Sequence, residues 1–238
     1  GGAALDLGCG SGIASLAIAT AFPKAEVFGY DVFGPAIEKA RANAAKEGAA
    51  WKEFSGEDHR TFLMVKGELL VMPDESASGF GVKLVSIARG NPAIGCPAIQ
   101  GVYLLMDAQT LTPRAILDAA ELTCIRTSAV SMLAIERLNP PQRPRVAVIG
   151  SGPQALAHIR AATVLQPSTI TLVARNPVTA VQVKERARAE GLAVATGSMS
   201  DVINADVIIC CTTSREPILY REQVTDDAII VAIGSHEP

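Results

Sequence analysis

Val146-Ala147-Val148-Ile149-Gly150-Ser151-Gly152-Pro153-Gln154-Ala155 is the stretch that decides the fold. Four apolar residues in a row, without polar alternation, describe a strand buried on both faces, as in a parallel sheet covered by helices. The glycines then turn the chain and let backbone approach a ligand with no Cβ in the way. The pattern G-x-G-x-x-A, opening a helix directly after such a strand, is a dinucleotide-binding signature. The amides of the helix start face a pyrophosphate. Downstream the alternation continues: a helix over 154–165, a strand over 170–174, a helix over 178–190, and buried strands over 207–211 and 229–233. Residues 145–238 therefore read as an α/β, Rossmann-type NAD(P)-binding domain. Gly150, Gly152, Gln154 and Ala155 are its cofactor turn. Where a NAD-selective site carries an acid, after the second strand, this chain has Arg175. A guanidinium there pairs with a 2′-phosphate, so NADP(H) is expected over NAD(H).

Outward from that domain, Asn139-Pro140-Pro141-Gln142-Arg143-Pro144 is a linker, since neither a helix nor a central strand tolerates that proline density. Before it, residues 68–138 show strand-like stretches over 69–72, 82–87 and 101–106. A helical pattern follows over 113–138, with Ile116, Leu117, Ala120, Cys124, Ala129, Leu133 and Leu138 roughly on one face. Residues 51–67 are charged, lack a period and form a junction. Residues 1–50 read β-α-β-α, with strands over 4–7 and 25–30 and helices over 13–22 and 35–47, half of a doubly wound sheet. Its turn, Leu5-Asp6-Leu7-Gly8-Cys9-Gly10-Ser11-Gly12, is followed nineteen residues later by Asp31. A carboxylate so placed reaches a ribose. This segment resembles the start of class I S-adenosylmethionine-dependent methyltransferases, which implies Asp6, Gly8, Gly10, Gly12 and Asp31 as S-adenosylmethionine-binding residues. The likeness covers about 50 residues, half of the sheet that an adenosine site needs.

Composition narrows the function classes. With 49% hydrophobic and 19% charged residues there is ample core material, which excludes disordered and coiled-coil classes. The longest apolar run is six residues, 228–233, far short of a membrane span. A net charge of −3 and 4% aromatics supply neither the basic surface nor the stacking platforms of a nucleic-acid binder. Five cysteines without C-x-x-C spacing read as reduced core thiols in a cytoplasmic protein. The three histidines lack ligand spacing to them, so no metal site is expected.

A second, longer likeness runs from about residue 60 to 238. It is carried by Leu69-Leu70-Val71-Met72-Pro73, Gly81-Val82-Lys83-Leu84-Val85, Gly90-Asn91-Pro92 and Gln100-Gly101-Val102-Tyr103. Leu122-Thr123-Cys124-Ile125-Arg126-Thr127-Ser128-Ala129, the Gly150 turn, Ser214-Arg215-Glu216-Pro217 and Gly234-Ser235-His236 follow in order. These motifs resemble the ornithine cyclodeaminase/μ-crystallin family. The resemblance implies a partial substrate and dimerisation domain over 68–138, a C-terminally truncated Rossmann domain over 145–238, and a homodimer. It further implies Lys83 as the active-site lysine and Arg126 as the arginine that holds the substrate carboxylate. Arg60 matches a second carboxylate-binding arginine, and Met72 lies beside the substrate. Thr212, Ser214 and Gly234 join the cofactor residues. The types suit the chemistry: a guanidinium grips a carboxylate through two parallel bonds, and a lysine beside a developing amine moves a proton.

His236 separates the family's activities. Cyclodeaminases of the family carry an aspartate at this place, whereas Gly234-Ser235-His236 is the form of its imine reductases and amino-acid dehydrogenases. The expectation is therefore NAD(P)H-dependent reduction of a small imino acid, such as 1-pyrroline-2-carboxylate or 1-piperideine-2-carboxylate. His236, Lys83 and Arg126 are its catalytic residues. An alanine-type amino-acid dehydrogenase, an ornithine cyclodeaminase, a methyltransferase acting through the N-terminal segment and a non-catalytic NADPH-binding protein remain the alternatives. The two likenesses in one chain also suggest a fragment or chimera.

Overall fold

We examined a computed structural model, which describes residues 3–7, 26–30, 41–42, 53–55, 60–64, 66–76, 79–214 and 216–233. The chain divides into two units, one comprising 1–31, 35–56 and 127–238, the other 32–34 and 57–126.

The first unit is an α/β fold on a parallel sheet, as the decisive stretch predicts. Its central strand, β9 (Arg145–Ile149), lies between β10 (Thr169–Val173) and β12 (Val207–Cys210). Beyond them stand β11 (Ala195–Gly197) on one side and β13 (Ile229–Ala232) on the other. Each of these pairings is parallel. Parallel neighbours require crossovers, and α2 (Pro153–Ala162) and α3 (Pro177–Ala189) supply two of them. Period-two alternation sorts the strand residues between two cores. Val146, Val148, Leu172, Val207, Ile209 and Val231 pack with Leu156, Ile159 and Val183. Ala147, Ile149, Val173, Ile208 and Ile230 pack with Val202 of α4 (Met199–Val202) and with Val224. An unbroken apolar strand is thus what two covered faces demand.

The sheet does not stop at β13. The strands β1 (Ala3–Leu7), β2 (Glu26–Tyr30) and β3 (Glu53–Ser55) extend it, giving eight strands in the order β11-β10-β9-β12-β13-β1-β2-β3. Ala4, Leu5 and Asp6 pair in parallel with Ile230, Val231 and Ala232. The segment read as a separate half-sheet is therefore continuous with the dinucleotide sheet. Parallel pairing to the open edge of β13 satisfies backbone groups that an uncovered edge would leave unpaired. The predicted helices over 13–22 and 35–47 lie outside the described residues, apart from two helical positions at 41–42.

The second unit is an antiparallel meander, in the order β4-β5-β6-β7-β8. Its strands are β4 (Arg60–Met64), β5 (Gly67–Ser76), β6 (Gly79–Ile87), β7 (Ile99–Met106) and β8 (Pro113–Asp118). Two sequence readings need correction here. The aperiodic stretch 51–67 contains β3 and β4, because sheet edges accept polar sequences that show no clear alternation. The helix expected over 113–138 begins only at residue 119: α1 is Ala119–Arg137, and 113–118 pair with β7 instead. Tertiary pairing overrides local period at Ile116 and Leu117. Asp118 marks the boundary physically, its Oδ1 accepting from the amides of Ala120 at 2.8 Å and Glu121 at 3.0 Å. That is an N-cap closing the orphan donors of a helix start. The cysteines are not uniformly core either: Cys96 is exposed, and Cys124, Cys210 and Cys211 are partly buried.

Candidate functional site

In the second unit the antiparallel register sets one row of side chains on one face. Met72 stands opposite Lys83, Lys83 opposite Tyr103, and Tyr103 opposite Leu117. Directly opposed residues share a face, so Lys83 projects from an interior strand rather than an edge. Tyr103 leans over Gly81, where an added Cβ would run into its phenol ring. After β8, the Asp118 cap starts α1, and Ala119, Thr123 and Arg126 follow at i, i+4 and i+7 on one stripe. The Lys83 Nζ donates to Thr123 Oγ1 at 3.4 Å, and the Thr123 hydroxyl donates to the Ala119 carbonyl at 2.7 Å.

Two cations share this place. Burial, and secondarily the positive charge of Arg126, lower the Lys83 ammonium from its ordinary value to about 8. Among the described residues, no carboxylate forms an ion pair with Lys83 or Arg126. A half-buried ammonium and a guanidinium without a counter-charge make a site for an anion. Arg60 is not in this row: its backbone pairs with Val71, one step out of register with Met72 and Lys83.

In the first unit the glycine turn has the geometry a dinucleotide needs. Gly150 sits at φ +127°, and a Cβ there would collide with the Cys211 carbonyl. Its amide donates to Val173 O at 2.8 Å, tying the turn to β10. Gly152 is the N-cap of α2 and opens on free space, with no side chain capping the helix. Within that first turn Pro153 has no amide hydrogen, and the Ala155 amide donates to the Gly152 carbonyl at 3.0 Å. The Gln154 Oε1 is buried without a partner, which marks the same turn as incomplete by itself. Ala155 is fully buried, so no larger side chain fits there. Ser151 Oγ meets Thr179 Oγ1 at 2.7 Å, and Thr179 donates to Asn176 O at 3.0 Å, fastening the turn to the start of α3. Arg175 is exposed just past the carboxyl end of β10. Thr212 and Ser214 lie just past β12, the Ser214 amide donating to Thr212 Oγ1 at 3.4 Å. These residues fit a nucleotide cradle at the carboxyl ends of parallel strands.

His236, Gly234, Gly8, Gly10, Gly12 and Asp31 lie outside the described residues, and Asp6 is placed as a β1 position between Ala232 and Gly29. Two features escaped the sequence reading. Thr123 was visible only as part of a motif, although its spacing to Arg126 puts both on one helical face. His158 is wholly buried, its ring bonded to the Gln154 carbonyl at 2.7 Å and to Ser131 Oγ at 2.9 Å. Burial holds its pKa below the ordinary value, so it serves as a neutral internal polar anchor for α2. Among the described residues, no cluster of His, Cys, Asp and Glu is arranged to hold a metal ion, and no helix is long and apolar enough to cross a membrane.

The family model described as "Ornithine cyclodeaminase/mu-crystallin family" matches residues 30–238. This chain belongs to that family. The match begins at residue 30, ahead of the motifs that carry the likeness, so the family relationship covers more of the chain than those motifs alone suggested. A Delta(1)-pyrroline-2-carboxylate reductase of Burkholderia ambifaria is 32% identical over 205 residues, covering 84% of this chain and 65% of the relative. The chain thus spans just under two thirds of that relative's length. The Thermococcus litoralis Delta(1)-pyrroline-2-carboxylate reductase, solved with NADH and L-proline, is 25% identical with a TM-score of 0.65. That match covers 72% of this chain and 56% of the other. An archaeal alanine dehydrogenase dimer with bound NAD matches equally, at 25% identity and TM-score 0.65, covering 72% of this chain and 54% of that one. As a family member, the chain carries a Rossmann-type NAD(P) fold.

Alanine at position 150 meets both a left-handed backbone and the Cys211 carbonyl. Gly150→Ala should therefore destabilise the protein by about 2 kcal/mol, seen as a lowered urea midpoint at unchanged slope. An unshifted midpoint would show that the turn relaxes freely.

Proposed function

We propose that this protein reduces a small imino acid with NAD(P)H, the substrate carboxylate being held by Arg126 and its nitrogen served by Lys83. The observation that carries this reading is the pair of cations with no ion-paired carboxylate among the described residues, one of them an ammonium lowered to about 8. Arg126 supplies two parallel N–H donors and so orients a carboxylate as well as neutralising it. A nicotinamide bound at the Gly150 turn supplies the hydride. As the imine carbon receives it, the Lys83 ammonium gives one proton to the imine nitrogen. An Nζ–H bond breaks, the amine N–H bond forms, and solvent restores the lysine. A lysine near pH 8 accomplishes this at neutral pH far better than one at its ordinary value. Substrates of the class are cyclic ketimines such as 1-pyrroline-2-carboxylate and 1-piperideine-2-carboxylate. The relatives of that name, and the fold shared with a complex holding NADH and L-proline, support this choice.

Steady-state assays with each ketimine and NADPH test it. Lys83→Ala and Arg126→Ala should each lower kcat/KM by roughly a hundredfold or more, Arg126→Ala chiefly through KM. Unchanged turnover in both would remove the reading. Because the reaction consumes the ammonium, kcat/KM should be level below about 8 and fall about tenfold per pH unit above it. Ammonia-dependent reductive amination of pyruvate, run in parallel, distinguishes the alanine-type alternative by its higher rate.

NADP(H) is the preferred cofactor on this reading. Arg175, exposed beyond β10, stands where an acid would repel a 2′-phosphate, and Ala174 and Asn176 on either side supply no acid. Arg175→Ala should raise KM for NADPH about tenfold while leaving NADH nearly unaffected. An equal effect on both cofactors would refute the preference, which the bound NADH and NAD of the solved relatives do not themselves support.

A homodimer completes the proposal. The edge strand β8 presents Ile116 at 72% exposure and Leu117 at 41%, apolar surface that a lone chain leaves in water. Sedimentation equilibrium should give twice the chain mass, and Ile116→Asp should shift it toward one; a monomeric native protein would contradict the proposal.

A further inference from the structure

Lys83 and Thr123 come from elements separated by forty residues of chain, yet their polar atoms meet at 3.4 Å on the half-buried face of one sheet. The direction of that bond is set by what Thr123 does next. Its hydroxyl has a single proton, and that proton goes to the Ala119 carbonyl one turn earlier, at 2.7 Å. Toward Lys83 the oxygen is left only as an acceptor. Ala119 is fully buried and its helix start is held by the Asp118 cap, so the carbonyl that fixes the hydroxyl is itself fixed. A chain of defined donors therefore runs from Lys83 Nζ through Thr123 Oγ1 to the Ala119 carbonyl.

We propose that Thr123 is a positioning residue for Lys83, acting as an obligatory acceptor that draws one Nζ–H toward α1 and leaves the other two free for the substrate nitrogen. The proposal rests on the imine-reductase reading for its catalytic consequence, and on the bond geometry alone for its effect on Lys83. After proton donation the neutral amine keeps one N–H on Thr123, which directs its lone pair away from the helix to recover a proton. Serine retains every part of this arrangement, whereas valine matches the shape of threonine and removes the acceptor.

The test compares Thr123→Val, Thr123→Ala and Thr123→Ser in the 238-residue chain. Lys83 titration is followed by competitive acetylation with acetic anhydride across pH, with its peptide quantified by mass spectrometry. An ammonium deprived of an acceptor is harder to keep charged, so the Lys83 midpoint should move to lower pH in Thr123→Val and Thr123→Ala and return in Thr123→Ser. With ketimine and NADPH, Thr123→Val should lower kcat about five- to tenfold with KM little changed, and its alkaline limb should move the same way. Thr123→Ser should recover both. The proposal is overturned if the acetylation midpoint of Thr123→Val matches that of the unaltered protein, or if Thr123→Ser behaves like Thr123→Val. Turnover unchanged in both Lys83→Ala and Arg126→Ala would defeat the imine-reductase reading instead, and would leave the acetylation result unaffected.

Discussion

Two like charges held together, with no ion-paired carboxylate among the described residues, are the constraint on which the small unit turns. An ammonium and a guanidinium do not gather on a half-buried face by preference, since each is penalised by desolvation and by the other. The meander imposes the arrangement. Register fixes Lys83 in the row of Met72, Tyr103 and Leu117, and the capped start of α1 sets Thr123 and Arg126 on one helical stripe. The penalty appears in the lowered Lys83 ammonium.

The large unit solves a different problem. Its turn at Gly150 leaves the start of α2 without a side-chain cap and a buried Gln154 oxygen unsatisfied, at the carboxyl ends of parallel strands. The sheet beneath is rigid because strands β9, β12 and β13 are buried on both faces. The strands β1, β2 and β3 lengthen the sheet beyond β13, on the side away from β10 and β11. The two units thus differ in kind: a meander that carries the paired cations, and a parallel sheet that carries the glycine turn.

What the residues announced in advance depended on how local the cause was. The β9–turn–α2 signature was legible because strand burial, glycine geometry and helix start all lie within ten consecutive positions. Lys83 and Arg126 were legible through motif likeness, although nothing local distinguishes a paired lysine from a solvated one. The region 113–118 was misread as helix because its apolar spacing suits a helix, while the pairing partner that makes it a strand lies in β7. Thr123 went unremarked because its significance is a contact with a residue forty positions away.

The sequence by itself determined the dinucleotide turn, the absence of an acid around Arg175, and the residue types of the anion site, because these follow from covalent geometry and charge. Only the tertiary structure decided that Lys83 stands on an interior strand, that Thr123 accepts from it, and that Arg60 falls one register step out of the Lys83 row. It also decided that β1 joins β13 in a single sheet. The physical reason is common to all four. Strand register and hydrogen-bond direction are fixed by partners distant in the chain, and a shift of one residue carries a side chain to the opposite face.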